Sequence, residues 1–203
     1  MYSKSIQNLI DSLAKLPSIG PRQASRIAFY LLKKPNDITN TLARNLLLLK
    51  KNVKLCQKCF LSYERENEKN QCDICLNTSR KQSQICIIQK EIEIKSIENI
   101  GVFLGMYHIV GEDIDILKKD EMPKSIEKLI DRIRNLKKDG IENIEIILAT
   151  NPTTEGNALS LYLEKELKKL EIKITSLGRG LSSGDELEYA DQSTLSHAFE
   201  NRK

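Results

Sequence analysis

Nowhere do the 203 residues contain a run approaching the roughly 18 uninterrupted apolar residues that a membrane-spanning helix requires. Residues 1–15 lack the continuous apolar segment and small-residue cleavage site of a secretory leader, so the expected address is the cytoplasm. Histidine is scarce. His108 and His197 are the only two, and neither stands near a Ser, Cys or Asp in an arrangement that builds a catalytic triad, so both are expected to be structural. The glycines of Gly178-Arg179-Gly180 and Gly184-Asp185 match neither G-x-x-x-x-G-K-[ST] nor a G-x-G-x-x-G that opens a helix, and nucleotide binding has no support from them. No internal repeat and no low-complexity linker interrupts the chain.

What is there is globular: 40% hydrophobic and 30% charged residues, enough for a genuine apolar core. Charge is unevenly placed. Residues 1–60 hold eleven Lys or Arg against Asp11 and Asp37, a balance of +9, so the remaining 143 residues carry −5 of the overall +4. A basic head on a mildly acidic body points to a polyanionic partner for the head.

Apolar periodicity divides the chain. Ile6, Leu9, Ile10, Leu13 and Leu16 fall at helical spacing until Leu16-Pro17-Ser18-Ile19-Gly20-Pro21 breaks it; Ala24, Ile27, Ala28 and Leu31 resume it as far as Pro35, and Leu42, Leu46, Leu47 and Leu49 form a third stripe. Ile85-Cys86-Ile87-Ile88 and Gly105-Met106-Tyr107-His108-Ile109-Val110 read as buried strands, and a helix is expected from Ser125, with Gly140 just past its end. Ile144-Glu145-Ile146-Ile147-Leu148-Ala149 is the clearest strand; a helix through Leu159, Leu163, Leu167 and Leu170 and a strand at 172–176 follow it. Strands alternating with helices predict a largely parallel sheet covered on both faces.

Cys56-x-x-Cys59 and Cys72-x-x-Cys75 stand twelve residues apart, a spacing that lets two tight turns converge on one zinc ion. Four sulfurs leave no open coordination position, so the site is expected to be structural, with one zinc per chain. Residues 64–71 between the pairs are polar and show neither helical nor alternating apolar pattern. Cys86, within an apolar strand, reads as core packing.

The break at Leu16-Pro17-Ser18-Ile19-Gly20-Pro21 is a tight connector between two short amphipathic helices, with Gly20 free to take positive φ and Pro21 suited to the next helix's first turn. The amides of Ile19 and Gly20, with Arg22 and Arg26 one turn apart beside them, are expected to grip a phosphate backbone without reading bases. An ordinary helical hairpin with a solvated basic face is the alternative from pattern alone, and the +9 balance favours DNA.

In order along the chain, several blocks together resemble the bacterial RecR family of recombination mediators. They are Leu16-Pro17-Ser18-Ile19-Gly20-Pro21-Arg22, the paired cysteines, the two strands at 85–88 and 105–110, Leu148-Ala149-Thr150-Asn151-Pro152-Thr153-Thr154-Glu155-Gly156, and Arg179-Gly180-Leu181 through Leu187-Glu188-Tyr189-Ala190-Asp191 to Thr194-Leu195. The resemblance implies a multidomain α+β and α/β chain. Its parts would be a helix-hairpin-helix over 1–53, a four-cysteine zinc finger over 54–78, a Toprim-like α/β domain over 79–176 and a C-terminal assembly segment over 177–203. It further implies a ring-shaped homotetramer that surrounds DNA and works with RecO and RecF to load recombinase at single-stranded gaps, with DNA binding at Arg22 and Arg26.

Catalytic Toprim enzymes hold magnesium with a glutamate after the first strand and a D-x-D pair after a later one. The matching stretches here read Ile87-Ile88-Gln89 and Thr150-Asn151-Pro152-Thr153, so Glu155 alone survives as an acid, and Gln89 also departs from the glutamate usual among RecR proteins. One carboxylate holds magnesium weakly, and the expected protein is therefore not an enzyme. Thr153 or Thr154 can cap the following helix, and Glu155 is expected to dock a partner such as RecO. A Toprim nuclease or topoisomerase-like enzyme and a zinc adaptor that binds only proteins are the rivals.

Overall fold

A computed structural model describes residues 2–65, 70–111, 122–181, 184 and 186–202. Residues 66–69 of the polar stretch at 64–71, and Asp185 of the Gly184-Asp185 pair, lie outside the described residues. The chain divides into two compact units, Met1–Val53 and Lys54–Lys203. Among the described residues no helix is long and apolar enough to cross a membrane.

The first unit is helical: α1 (Lys4–Leu13), α2 (Pro21–Leu32) and α3 (Asn36–Asn52). Helices α1 and α2 pack through Ile10, Ala24 and Ala28, with Ile6, Leu13, Ala14 and Ile19 around them. Ala24 and Ala28, four residues apart, put small side chains on one face of α2, in the same buried cluster as Ile10. Helix α1 stops at Leu13, one turn before the apolar stripe ends at Leu16. The third stripe behaves differently. Helix α3 has Asp37 in its first turn and Lys50 and Lys51 in its last, as its dipole favours, yet it buries none of its residues. Leu42, Leu46, Leu47 and Leu49 are exposed, and Leu47 is 75% open.

The second unit opens with two short strands, β1 (Val53–Leu55) and β2 (Ser62–Glu64), paired as a two-stranded sheet, and a one-turn helix α4 (Asp73–Leu76). Next come β3 (Lys81–Ile88), α5 (Ile92–Ile100), β4 (Gly105–Ile109), α6 (Lys124–Lys138), β5 (Glu145–Leu148), α7 (Thr154–Lys168) and β6 (Lys173–Ser176). Strand order is β4-β3-β5-β6, and all three pairings are parallel. The central strand β3 ends on four fully buried residues, the unbroken apolar run that a sheet covered on both faces demands. Alternation then sorts them: Ile85 and Ile87 join the larger core under α6 and α7, while Cys86 and Ile88 join a smaller one with Ile94 of α5.

Helix α6 buries Ile126, Leu129, Ile130, Ile133 and Leu136 and ends at Gly140, whose φ of +75° turns the chain so that the Ile141 N–H returns to the Leu136 carbonyl at 3.0 Å. Strand β4 is a sheet edge, yet all five residues are buried, and the Ile109 N–H donates to the Cys59 carbonyl at 2.9 Å. The cysteine-bearing turn thus covers an edge that would otherwise invite pairing. Helix α5 has no counterpart in the sequence-based expectations. Nor has the helix α8 (Gln192–Glu200), which follows a 3₁₀ turn at Leu187–Tyr189 and gives the C-terminal segment a regular element.

Candidate metal centre and nucleic-acid interface

The four paired cysteines converge. Their sulfurs all lie within 4.8 Å of one another, and those of Cys59 and Cys72 stand 3.5 Å apart. A zinc tetrahedron with metal–sulfur bonds of about 2.3 Å has edges of about 3.8 Å, so the four positions fit such an ion with shifts well below a bond length. No pair approaches disulfide distance, and all are free and buried. The backbone holds them in place: the Cys56 N–H donates to Leu61, the Phe60 N–H to Cys56 and the Leu76 N–H to Cys72, at 2.8–3.0 Å.

Four sulfurs this close cannot all lose their protons without a cation among them. Hydrogen bonding with Cys59 pulls the Cys56 thiol down, while hydrogen bonding with Cys56 pushes Cys59 up. Hydrogen bonding with Cys56 also pushes Cys75 up, against the pull of Arg132. This donor set, all sulfur and closed, suits a borderline-soft metal in a structural role. Cys86 stands apart, and burial pushes its thiol up to about 12, which leaves it an inert core residue. Burial likewise takes His108 down to about 4, and its Nε2 lies 2.8 Å from the Ser125 carbonyl, so it is a neutral core donor.

In the helical unit, Gly20 caps α2 with φ −79° and ψ 169°, and it is Ser18, at φ +63°, that makes the left-handed turn expected of Gly20. Ile19 also departs from expectation: its N–H is already given to the Leu16 carbonyl at 3.2 Å, and its side chain packs on the α1–α2 core. Ile19 therefore shapes the connector. What remains open is the N-terminal turn of α2, which begins at Pro21 and whose partial positive charge has no acidic side chain beside it. Arg22 and Arg26 are both exposed, and neither pairs with a carboxylate among the described residues.

The third location is the crevice at the carboxyl ends of β3 and β5, where the strand order reverses. Thr153 caps α7, its Oγ1 accepting from the Gly156 N–H at 3.1 Å, and Glu155 is exposed in the first turn. Gly156 presses on the preceding loop so closely that an added Cβ would lie 2.0 Å from the Asn151 carbonyl oxygen. Asn151 in turn bridges the crevice. Its backbone N–H donates to Gln89 Oε1 at 3.1 Å and its Nδ2 to Glu93 Oε1 at 2.9 Å. The other Glu93 oxygen accepts from the N–H groups of Gln89, at 3.2 Å, and Lys90, at 3.1 Å. Glu93 is a residue the sequence reading passes over; the signal was an acid four residues past Gln89, in the first turn of the unforeseen α5.

Comparison with known proteins joins these parts. The family described as RecR, helix-hairpin-helix matches residues 6–48, a Toprim domain matches 83–178, and the family described as RecR, C-terminal matches 180–203. A protein named Recombination protein RecR from Dehalococcoides mccartyi is 40% identical over 200 residues, covering 98% of this chain and 94% of the relative. The one of that name from Rubrobacter xylanophilus is 36% identical over 205 residues, covering 100% and 98%, and the one from Chloroflexus aurantiacus 38% over 206 residues, covering 100% and 96%. With identity at this level from end to end, around a helical hairpin, a convergent four-cysteine cluster and a parallel Toprim sheet, the chain belongs to the RecR family of recombination proteins.

Proposed function

We propose that the protein is a nonenzymatic DNA clamp of recombinational repair that acts in the cytoplasm. Four copies would surround DNA as a ring, the homotetramer that the resemblance implies, and would help RecO and RecF load recombinase at single-stranded gaps. The observation that carries the reading is the open N-terminus of α2, with Gly20 at its cap and Arg22 and Arg26 exposed beside it, in a segment whose formal charge is +9 over 60 residues. Ile19 holds that turn in shape. Such a surface binds phosphate oxygens by charge and backbone amides and has no means of reading bases.

Helix α3 supports assembly. Seventeen residues with no buried side chain have little to hold them helical in a lone chain, and exposed leucines along them fit the same face of a second copy. The four cysteines would hold one structural zinc, which supplies folding energy to the turn that covers the β4 edge. Glu155, exposed at the start of α7, would dock RecO. Among the described residues, the rival nuclease or topoisomerase chemistry would have to use Glu93, beside the crevice, which already accepts three N–H groups that magnesium would have to displace.

Fluorescence anisotropy with gapped and plain oligonucleotides across a salt series tests the reading. Affinity should fall steeply with salt and vary little with sequence, and replacing Arg22 and Arg26 together by alanine should flatten the logarithmic slope by about 2 on duplex DNA. A slope near zero in the unmutated protein refutes DNA clamping, and magnesium-dependent cleavage of plasmid would establish the rival. Glu155→Lys should weaken RecO binding with metal content intact; unchanged RecO affinity removes Glu155 from the docking surface.

A further inference from the structure

Between the cysteine-bearing turn, the start of β3 and α6 lies a cavity of about 770 Å³, open to solvent and wholly within the second unit. Its wall carries five cations, Lys58, Lys128, Arg132, Arg134 and Lys138, against Asp131 and Asp139, a net of +3. Composition does not account for this, since the 143 residues from 61 onward carry −5. Lys128, Arg132 and Asn135 succeed one another at spacings of four and three, which puts them on one face of α6. Lys128, Arg134 and Lys138 are exposed, whereas Arg132 is 6% exposed. The Arg132 Nη1 donates to the Tyr107 carbonyl at 2.8 Å, while its Nε is buried with no hydrogen-bond partner. No carboxylate pairs with Arg132 among the described residues; its neighbour Asp131 turns instead to Arg134, at 3.7 Å. A buried cation fixed at the wall of a basic cavity points to an anion as the occupant.

The rest of the wall narrows the kind of anion. Four lining side chains are neutral amides, Gln57 and Asn135 among them, and amide N–H groups suit phosphate oxygens. Leu136 is the one apolar residue of the wall, and none of the lining residues is aromatic. A base would need a ring to stack on, and a protein partner an aromatic or aliphatic anchor; the wall offers neither. The volume is many times the roughly 30 Å³ share of one water molecule, so the cavity admits a length of chain rather than a lone ion. We propose that this cavity is a second DNA-backbone site, in which Lys128, Arg132, Arg134 and Lys138 meet phosphates while the bases stay outside. The inference rests on the reading of the protein as a DNA binder and goes beyond it, since that reading puts the grip on α2 in the other unit. It gives the second unit a part in holding DNA, by charge and without sequence preference.

The test uses the full chain and labelled duplexes of several sequences in an anisotropy salt series. Three proteins are compared: the unmutated one, a triple variant with Lys128→Gln, Arg134→Gln and Lys138→Gln, and the double variant with Arg22→Ala and Arg26→Ala. The three residues of the triple variant are exposed on α6, so replacing them leaves its packed face untouched. Its logarithmic salt slope should be flatter by about 2–3, since each phosphate contact contributes about 0.9, and by the same amount for every sequence. A parental slope overturns the proposal. So does a triple variant that loses binding to labelled poly-glutamate while keeping its DNA affinity, which makes the cavity a protein site. Should the triple variant fail to fold, lysine acetylation of the unmutated protein, read by mass spectrometry, decides. Duplex DNA should shield Lys128 and Lys138 several-fold more than Lys165 and Lys168, which are exposed on α7, and equal shielding of the two pairs refutes the site. An unmutated protein with no salt slope overturns the DNA reading itself, whereas a normal slope that only the double variant flattens overturns this inference alone.

Discussion

Gly156→Ala is the substitution for which the structure gives the sharpest expectation. The added methyl would lie 2.0 Å from the Asn151 carbonyl oxygen and 3.0 Å from its carbon, both backbone atoms that no rotamer change can clear. The loop must recede by about 1 Å or more, a displacement of the overpacking kind that costs roughly 1–3 kcal/mol. Receding also pulls Asn151 off Gln89 and Glu93, at 3.1 and 2.9 Å, removing a neutral hydrogen bond of about 1 kcal/mol and a charged one of about 1.5–3 kcal/mol. The sum, on the order of 3.5–7 kcal/mol, is comparable with the whole stability of many domains. Gly20→Ala is the control, because no atom lies within 4 Å of its added Cβ and its φ of −79° suits any residue; its cost should stay below about 1 kcal/mol. Urea unfolding followed by far-ultraviolet circular dichroism should move the midpoint of the α/β unit down by more than about 1 M for Gly156→Ala and hardly at all for Gly20→Ala. A Gly156→Ala protein with the parental midpoint would show that the 150–156 loop is not clamped.

Arg80 grips Glu98 with Nη1 at 3.0 Å and Nη2 at 2.6 Å, and this pair, helped by the Tyr107 hydroxyl, holds the Glu98 carboxyl below the usual range. A depressed carboxylate stabilises the fold above its unfolded value of about 4.3 and loses that contribution as pH falls through its folded value, so Arg80→Ala should cost roughly 1 kcal/mol at pH 7 and less at pH 3. Equal losses at both pH values in urea titrations would remove the ion pair from the account. Cys56→Ser, by breaking the four-sulfur set, should abolish stoichiometric zinc and lower the melting midpoint by about 5 °C or more, and an unaltered melting curve after complete zinc removal would refute a structural role. Leu46→Glu on the exposed face of α3 should reduce the mass measured by light scattering to a smaller assembly while leaving the Toprim sheet intact; an unchanged mass rules that face out as the contact between copies.

The parallel sheet was legible because its two central strands carry short unbroken apolar runs, Ile85-Cys86-Ile87-Ile88 in β3 and Ile146-Ile147-Leu148 in β5, and because Gly140 follows α6 where a helix must turn. The cysteine cluster was legible because its ligands are paired in sequence, so local turns do most of the convergence. Helix α5 is marked more weakly: Ile94 is its one fully buried residue, Ile97 packs half-buried beside it, and its Ile92 and Ile100 are exposed. The left-handed residue of the hairpin was assigned to Gly20 by its residue type, whereas Ser18 takes that conformation and Gly20 stays extended as the cap. Arg132 could not be singled out at all, because an arginine amid Ile130, Ile133 and Leu136 reads as the polar side of an amphipathic helix until its burial is seen.

The crevice between β3 and β5 shows why residue type and residue role have to be separated. Gln89 and Asn151 are amides, and an amide both gives and accepts; Gln89 offers its Oε1 to the Asn151 N–H while its own backbone N–H goes to Glu93. A carboxylate in place of Gln89 could accept the same bond, but it would set a second negative charge in the network that Glu93 already anchors. Either one of the pair would then take up a proton or a cation would have to sit between them. With the amide present, neither is required, and the single charge of Glu93 is met by three N–H donors from both strand ends. The neutral residue at 89 therefore lets this network tie the end of β3 to the loop after β5 without a second negative charge beside Glu93.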